Sequence, residues 1–333
     1  MRLILRDLMP DRIPIHVITG FLGSGKTTLI KNILAHEANS DTLVVVNELG
    51  EIGLDNLLVE QVHENTYLLS SGCICCTVLS DVKETLLKVL SDHNACKITP
   101  FKNIIIETTG LANPASMLNT LSFDTHLKSK FVVHGMTCVI DGTLAITQST
   151  THPEWLPQVI ASNTWVLSKR DLISAEEERL IKSRVEGLGS NGAWIDHDKL
   201  VNTSNLFATE EARTEFHTIP FSSEGFKIHN ETQSGVIVFD KLLDWTVFGL
   251  WLNILLKQYG ESILRIKGML YLKGQEKPVF LHGVQHCIYP PEHLLEPLWG
   301  DGLSRLLFIC RGVDIEKIRN SAHTFMKIFK EKS

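Results

Sequence analysis

Cysteine is scarce in this chain, with seven in 333 residues, and three of the seven fall within four positions. Positive charge is not in excess either. The formal net charge is −6, and no basic run or aromatic-and-basic stripe is present, so nucleic acid is not an expected partner. Long apolar runs are missing. The most apolar stretch, Leu242–Leu256, is broken by Asp244 and Asn253, too short and too polar to span a bilayer. The first residues, MRLILRDLMPDR, hold no uninterrupted apolar run and no small-residue cleavage site, a poor match to a signal peptide. No membrane association is therefore expected, and the expected location is the cytoplasm. Thiols stay reduced there, which weighs against a disulfide among Cys73, Cys75 and Cys76. Internal repeats and low-complexity segments are also lacking.

What is present reads as an ordinary globular chain, with 44% apolar and 21% charged residues and enough length for two cores. Short β-branched runs at Ile15–Thr19, Thr42–Asn47, Asn103–Glu107, Thr137–Ile140 and Thr164–Leu167 are apolar at nearly every position. Parallel strands buried on both faces have that composition. Helical patterns lie between them at Lys26–Glu37, Ser80–Asp92 and Ser174–Glu186, the last opened by a capping box, Ser174-x-x-Glu177. The alternation predicts an α/β fold with a mostly parallel sheet covered by helices. After about residue 212 the pattern changes. Asn202–Gln233 is polar and reads as linker. A helix is expected at Lys241–Gln258, strands at Ile263–Leu272, Lys277–Tyr289 and Arg305–Cys310, and a closing helix at Asp314–Phe329. The expected division is a first domain at 1–212, a linker at 213–235 and a smaller α+β domain at 236–333.

Three motifs carry chemistry. GFLGSGKTT (20–28) matches G-x-x-x-x-G-K-[ST] in full and sits between an apolar strand and a helix. Such a loop turns backbone N–H groups toward phosphate oxygens at the positive end of a helix. Lys26 then reaches the β- and γ-phosphates and the Thr27 hydroxyl reaches Mg²⁺. IIIETTG (104–110) places Glu107 at the end of a buried strand, where it would hold Mg²⁺ directly or through water, and Gly110 would offer its N–H to the γ-phosphate. VLSKRDL (166–172) carries Lys169-x-Asp171 after another buried strand. A carboxylate there accepts from guanine N1–H and its 2-amino group, donors that adenine lacks, while Lys169 lies along the base and ribose. The usual first residue of this motif is Asn. Ser168 stands in its place, and its hydroxyl is expected to tie this loop to the phosphate loop.

GCICCT (72–77) leaves more than one reading open on spacing alone. Thiolates are soft ligands suited to Zn²⁺, and three of them leave a fourth position for Glu48, Glu51, a histidine or water. The same stretch contains a C-x-x-C pair ahead of a helix, Cys73 and Cys76, which is redox spacing. A chance cluster is the third reading. Cys96, Cys138, Cys287 and Cys310 read as ordinary residues, the strand cysteines Cys138 and Cys310 packing as small hydrophobes. His282 and His286, four apart in an expected strand, would share a face. With His293 they form a secondary candidate for a metal, as do His126 and His134. Trp245, Trp251 and Trp299 read as core or interface residues.

Taken in order, GFLGSGKTT, N47-E48-L49-G50-E51, GCICCT, IIIETTG and SKRD resemble the CobW-like GTPases, relatives of the UreG and HypB nickel-insertion GTPases. RIKGMLYL, FLHGVQ, PLWGD and RLLFICRG resemble the C-terminal domain of the same family, so the likeness runs from about residue 14 to 329. The resemblance implies a P-loop GTPase domain with GTP/GDP, Mg²⁺, slow hydrolysis, and binding of zinc or another divalent transition metal such as cobalt or nickel. It implies nucleotide contacts from Gly20, Gly23, Ser24, Gly25, Lys26, Thr27, Thr28, Gly110, Ser168, Lys169 and Asp171, with Lys26, Thr27 and Glu107 at the reacting end. It places Cys73, Cys75 and Cys76 in the metal site, with Glu48 and Glu51 in a switch-like segment beside them. It also implies a client metalloprotein and leaves an oligomer open. No long histidine-rich tract of the storage type is present. The expected function is therefore a Mg²⁺-dependent GTPase acting as a zinc or other divalent-metal chaperone, with the Cys73, Cys75 and Cys76 site coupled to the nucleotide state. The alternatives are a metal-binding module with GTP as structural ligand, or a thiol-redox protein using Cys73 and Cys76.

Overall fold

The computed structural model describes residues 12–36, 39–46, 66–68, 78–188, 192–200, 226–229, 232–288, 291–294 and 301–330. Glu48, Glu51, Cys73, Cys75, Cys76 and Trp299 lie outside these residues. The chain divides into two compact units, one of residues 1–183 with 192–213, the other of 184–191 with 214–333.

The first unit is built on a seven-stranded sheet. In chain order its strands are β1 (Ile13–Thr19), β2 (Thr42–Val46), β3 (Thr66–Leu68), β4 (Asn103–Glu107), β5 (Phe131–Asp141), β6 (Thr164–Ser168) and β7 (Ala193–Trp194). Their spatial order is β3-β2-β4-β1-β5-β6-β7, and every neighbouring pair is parallel. Parallel neighbours need crossover connections, and helices supply them: α1 (Lys26–Leu34), α2 (Val78–Asn94), α3 (Pro114–Phe123), α4 (Thr125–Lys130), α5 (Ala145–Thr151), α6 (Trp155–Ala161), α7 (Ala175–Glu186) and α8 (His197–Leu200). β2 and β4 are buried at nearly every position because helices cover both faces. Leu29, Ile30, Ile33 and Leu34 of α1 pack on Ile18, Val44, Val46, Ile105, Val139 and Val166. α3 starts where the sequence supplies an N-cap and a proline: Asn113 accepts from the Ala115 N–H and Pro114 takes the first helical position. The capping box before α7 forms as expected, the Ser174 hydroxyl accepting from Glu177 N–H and the Glu177 carboxylate accepting from Ser174 N–H.

The second unit holds an antiparallel sheet of β8 (Phe226–His229), β9 (Thr232–Phe239), β10 (Ile263–Leu270), β11 (Val279–Val284), β12 (Cys287–Ile288), β13 (Glu292–His293) and β14 (Ser304–Arg311). The order is β12-β11-β10-β14-β9-β8, with β13 paired to β11. Helices α9 (Trp245–Tyr259) and α10 (Ile315–Lys330) supply Phe248, Trp251, Leu252, Leu255, Ile315, Ile318 and Ala322 to one core with Ile237, Ile266, Leu281 and Phe308. Trp251 Nε1 donates to Ser321 Oγ at 3.0 Å, joining the two helices. Gly235 lets α10 lie close to β9, since a Cβ there would fall 2.5 Å from Ile315. No helix among the described residues is long and apolar enough to cross a membrane.

Four details differ from the sequence reading. The stretch read as linker, Asn202–Gln233, includes β8 and the start of β9, because Thr232–Arg311 pairing continues the ladder through polar residues. The helix read from Lys241 starts at Trp245. Leu243 is held instead by strand-like bonds to Tyr271 and Lys273, and Asp244 caps the helix, accepting from Thr246 and Val247 N–H. The strand read across Lys277–Tyr289 is a hairpin that turns at Gln285, whose φ is 51°. His286 therefore sits in the turn, and it shares no strand face with His282. Trp251 is core, whereas Trp245 is 45% exposed.

Removing the cap of α9 by Asp244→Ala leaves two first-turn N–H groups without their acceptor, so stability falls by about 1 kcal/mol. A urea midpoint equal to that of the parent chain contradicts this.

Candidate nucleotide site

The site lies at the C-terminal ends of β1, β4, β5 and β6. β1 ends at Thr19, and the chain then runs through Gly20 (φ 143°), Gly23 (φ 72°) and Gly25 (φ 93°) into α1. Side chains are strained at such angles, and a Cβ on Gly20 would also lie 2.3 Å from the Val139 carbonyl oxygen. The loop is therefore a backbone cradle that only glycines permit. Lys26, almost fully buried, lies across it and donates to Gly20 O at 2.9 Å and Phe21 O at 3.2 Å. Ser24 Oγ is buried with no hydrogen-bond partner among the described residues. An unsatisfied buried hydroxyl within a cradle of backbone N–H groups fits an anion such as phosphate.

β4 delivers the second group. Its register sets Ile18 beside Glu107, so Glu107 ends the strand next to the start of the loop. The Thr27 hydroxyl donates to Glu107 Oε1 at 3.0 Å, and Glu107 is 5% exposed. Thr108 continues the join, its N–H to Ile18 O at 3.0 Å and its hydroxyl to Thr19 Oγ1 at 2.9 Å. Gly110 then presses against the phosphate loop, where a Cβ would stand 2.6 Å from Leu22 N. An adjacent hydroxyl and carboxylate form an all-oxygen pair, the donor type that Mg²⁺ takes.

β6 delivers the third. The Ser168 hydroxyl lies 2.7 Å from Ser24 O and 3.2 Å from Ile140 O, so it ties the end of β6 to the phosphate loop. Lys169 has a left-handed backbone (φ 55°), and its ammonium lies 2.6 Å from Asp141 Oδ2. Asp141 is fully buried. Burial pushes its carboxyl up, but hydrogen bonds from the Lys169 ammonium and from the Thr143 hydroxyl and N–H outweigh that and hold it below the ordinary carboxylate range. Asp171 is exposed in the single 3₁₀ turn Arg170–Leu172. With Ser168 and Lys169 it lines a cavity of about 900 Å³ walled on its other sides by Gly25, Thr28 and Asn32 and by Asp196–Lys199.

Of the expected site residues, Gly20, Gly23, Ser24, Gly25, Lys26, Thr27, Thr28, Glu107, Gly110, Ser168, Lys169 and Asp171 are described, and all belong to this one edge of the sheet. Sequence reasoning missed five contributors. Asp141 anchors Lys169. Asn32 and His197 approach to 3.3 Å at the cavity wall, and Arg170 bridges Glu178 and Asp196. Gln158, buried in α6, donates to Gly110 O. Its signal was a lone amide in the apolar run Trp155–Ala161. The Asp196–Lys199 wall follows a two-residue strand and carries no recognisable pattern. Among the described residues no group of three His, Cys, Asp or Glu side chains could hold a metal, so His282, His286 and His293 do not form one.

The family model described as "CobW/HypB/UreG, nucleotide-binding domain" matches residues 14–195, and "Cobalamin synthesis protein cobW C-terminal domain" matches 232–325. "Zinc chaperone YjiA" of Escherichia coli is 28% identical over 317 residues, 92% of this chain and 96% of that one. "Zinc-regulated GTPase metalloprotein activator 1" of Schizosaccharomyces pombe is 34% identical over 191 residues, 55% of this chain and 45% of that one. The fold is similar to that of the crystal structure of Zn(II)-bound YjiA GTPase from E. coli, with a TM-score of 0.67, 24% identity, and coverage of 95% of this chain and 99% of that chain.

Asp141→Asn tests the anchor of Lys169. The folded carboxyl has a pKa below its unfolded value, so its stabilisation is complete above about pH 4 and is lost as pH falls through the folded value. The variant is expected to lose about 1–2 kcal/mol at pH 7, allowing for the partly exposed lysine, and the gap should close in acid. Urea midpoints at a series of pH values check this, and a gap constant from pH 7 to pH 3 contradicts it.

Proposed function

The chain belongs to the CobW/HypB/UreG family, and on that premise we propose that it is a slow, Mg²⁺-dependent GTPase that works as a metallochaperone. Its cargo is zinc, or another divalent transition metal, and its recipient is a client metalloprotein. The observation that carries the reading is the 3.0 Å bond between Thr27 and Glu107 at the rim of the glycine cradle. A P-loop threonine joined to the carboxylate of the neighbouring strand is the oxygen pair a Mg²⁺–nucleotide requires. When bound, Mg²⁺ neutralises charge on the phosphate oxygens. The names of the relatives, a zinc chaperone and a zinc-regulated GTPase activator, support both halves of the proposal.

The residues would divide the work as follows. Backbone N–H groups from Gly23 to Thr28 cradle the phosphates. Lys26 exchanges its two loop carbonyls for β- and γ-phosphate oxygens, and Gly110 offers its N–H to the γ-phosphate. Asp171, at the cavity, accepts from N1–H and the 2-amino group of guanine, with Lys169 held along the base and ribose by Asp141. Ser168 keeps that loop in register with the phosphate loop. The nucleotide chemistry is assigned to residues 1–212. Cys73, Cys75 and Cys76 are assigned to the cargo. Thiolates suit Zn²⁺, and three of them with Glu48, Glu51 or water make a set that can release its metal.

Base choice is tested by nucleotide affinity. GTP should bind in preference to ATP, and Asp171→Asn should weaken GTP and improve xanthosine triphosphate, because an acceptor becomes a donor. An unmet buried hydrogen bond costs about 1–3 kcal/mol, so the preference should be large. Equal affinity for ATP and GTP contradicts the assignment of Asp171.

The cargo site is tested with Co²⁺. The full chain should show thiolate charge-transfer absorption that weakens as pH falls, since protons compete for the thiolates, and that vanishes in the Cys73→Ser, Cys75→Ser, Cys76→Ser variant. Absorption that survives the triple change contradicts the assignment.

A further inference from the structure

Gln158 lies in α6 beside Trp155, Leu156, Val159 and Ile160, all buried, and is itself fully buried. An amide in such surroundings costs free energy unless it is hydrogen-bonded. Its Nε2 donates to Gly110 O at 3.0 Å and to Ala112 O at 3.2 Å. Its Oε1 has no hydrogen-bond partner among the described residues. Turning the amide over would aim that oxygen at two carbonyl oxygens, so the donor side fixes its orientation.

The two acceptors belong to the loop that leaves β4. Gly110 has no Cβ, and glycine peptides swing more freely than any others. Here both peptide planes around Gly110 are tied. The plane that carries the Gly110 N–H is held by the bond from Ala112 N–H to Thr109 O at 3.1 Å. The plane that carries the Gly110 carbonyl is held by Gln158. Gly110 itself also lies against Leu22, where a Cβ would stand 2.6 Å from the Leu22 N. Just before α6, the ring of His152 packs on Phe21 of the phosphate loop with centroids 4.5 Å apart. The segment from His152 to Gln158 therefore touches both walls of the phosphate end of the site.

We propose that Gln158 is a positioning residue for that end: by holding the Gly110 carbonyl, one of the two peptide planes that meet at this glycine, it limits the backbone rotation that would swing the neighbouring Gly110 N–H away from where a γ-phosphate sits, and thereby sets the discrimination between GTP and GDP. This rests on the GTPase reading above. GDP has no γ-phosphate and makes no demand on Gly110, so the two nucleotides should respond differently to loss of the Gln158 donor.

The test uses the full chain and two variants, Gln158→Met, of similar size without a donor, and Gln158→Glu. Binding of GDP and of a non-hydrolysable GTP analogue is measured with kcat and KM for GTP. In Gln158→Met, GDP affinity should stay within about twofold of the parent, while analogue affinity and kcat/KM for GTP each fall about tenfold, the loss of roughly one well-placed hydrogen bond. In Gln158→Glu the carboxylate form faces two carbonyls, so the same loss appears at the alkaline end of the pH range, where the buried acid gives up its proton. It should be partly recovered as pH falls, when the protonated acid regains a donor, and the parent chain should show no such recovery. Equal weakening of GDP and analogue indicates a packing role and overturns the proposal, as does parental behaviour of both variants. A parent chain that binds both nucleotides but does not distinguish them overturns it while leaving the GTPase reading intact. A parent chain that binds neither removes both.

Discussion

The constraint on which the site depends is the parallel register of β1 between β4 and β5. With Ile18 beside Glu107 and Thr19 beside Cys138, the strands end together at one edge of the sheet. An open α/β sheet binds ligands at that edge, where the strand order reverses. The hydrogen bonds that assemble the site are consequences of this alignment. Thr27 reaches Glu107 because α1 begins one short loop beyond β1. Ser168 reaches Ser24 because β6 ends level with β5, Asp141 beside Ser168. A slip of one residue in any of these pairs would reverse the faces of a strand and part the groups it carries.

The same edge concentrates buried charge. Lys26, Glu107 and Asp141 are all nearly or fully buried, in a unit whose other buried side chains are mostly apolar. Buried charges are tolerated when they are paired or well hydrogen-bonded. Asp141 meets that condition through Lys169 and Thr143, and Lys26 through two carbonyls. Asp141 and Lys169 form a local structural pair. The two carbonyls that Lys26 meets in the loop are neutral, and each is a weaker hold for an ammonium than an anion would give. In the proposed function Lys26 exchanges those carbonyls for phosphate oxygens, while Lys169 stays with Asp141 beside the base.

Much of the first unit was legible because its signals are local. Buried parallel strands are continuous apolar runs, the glycine loop is a fixed spacing, and Ser174-x-x-Glu177 is a complete cap. The second unit was harder to read. β8 and β9 carry polar residues such as Thr232 and Ser234 and are strands because β14 pairs with β9, a long-range cause that no window reveals. The hairpin at Gln285 uses a positive φ on a residue that seldom signals one, which separated His282 from His286. Within the site, residues with a motif were found and residues with only a tertiary role were not. Asn32, His197 and Gln158 become part of the site through the approach of distant elements.

A metallochaperone of the proposed kind needs its nucleotide and its cargo metal to be coupled, so that the state of one sets the affinity of the other. The direct measurement is zinc affinity of the metal-stripped chain with GDP and with a non-hydrolysable GTP analogue, paired with the affinity of each nucleotide with and without zinc. The account predicts different zinc affinities in the two nucleotide states, and a reciprocal shift of the nucleotide preference by the same factor. Identical zinc affinity with GDP and with the analogue would contradict it.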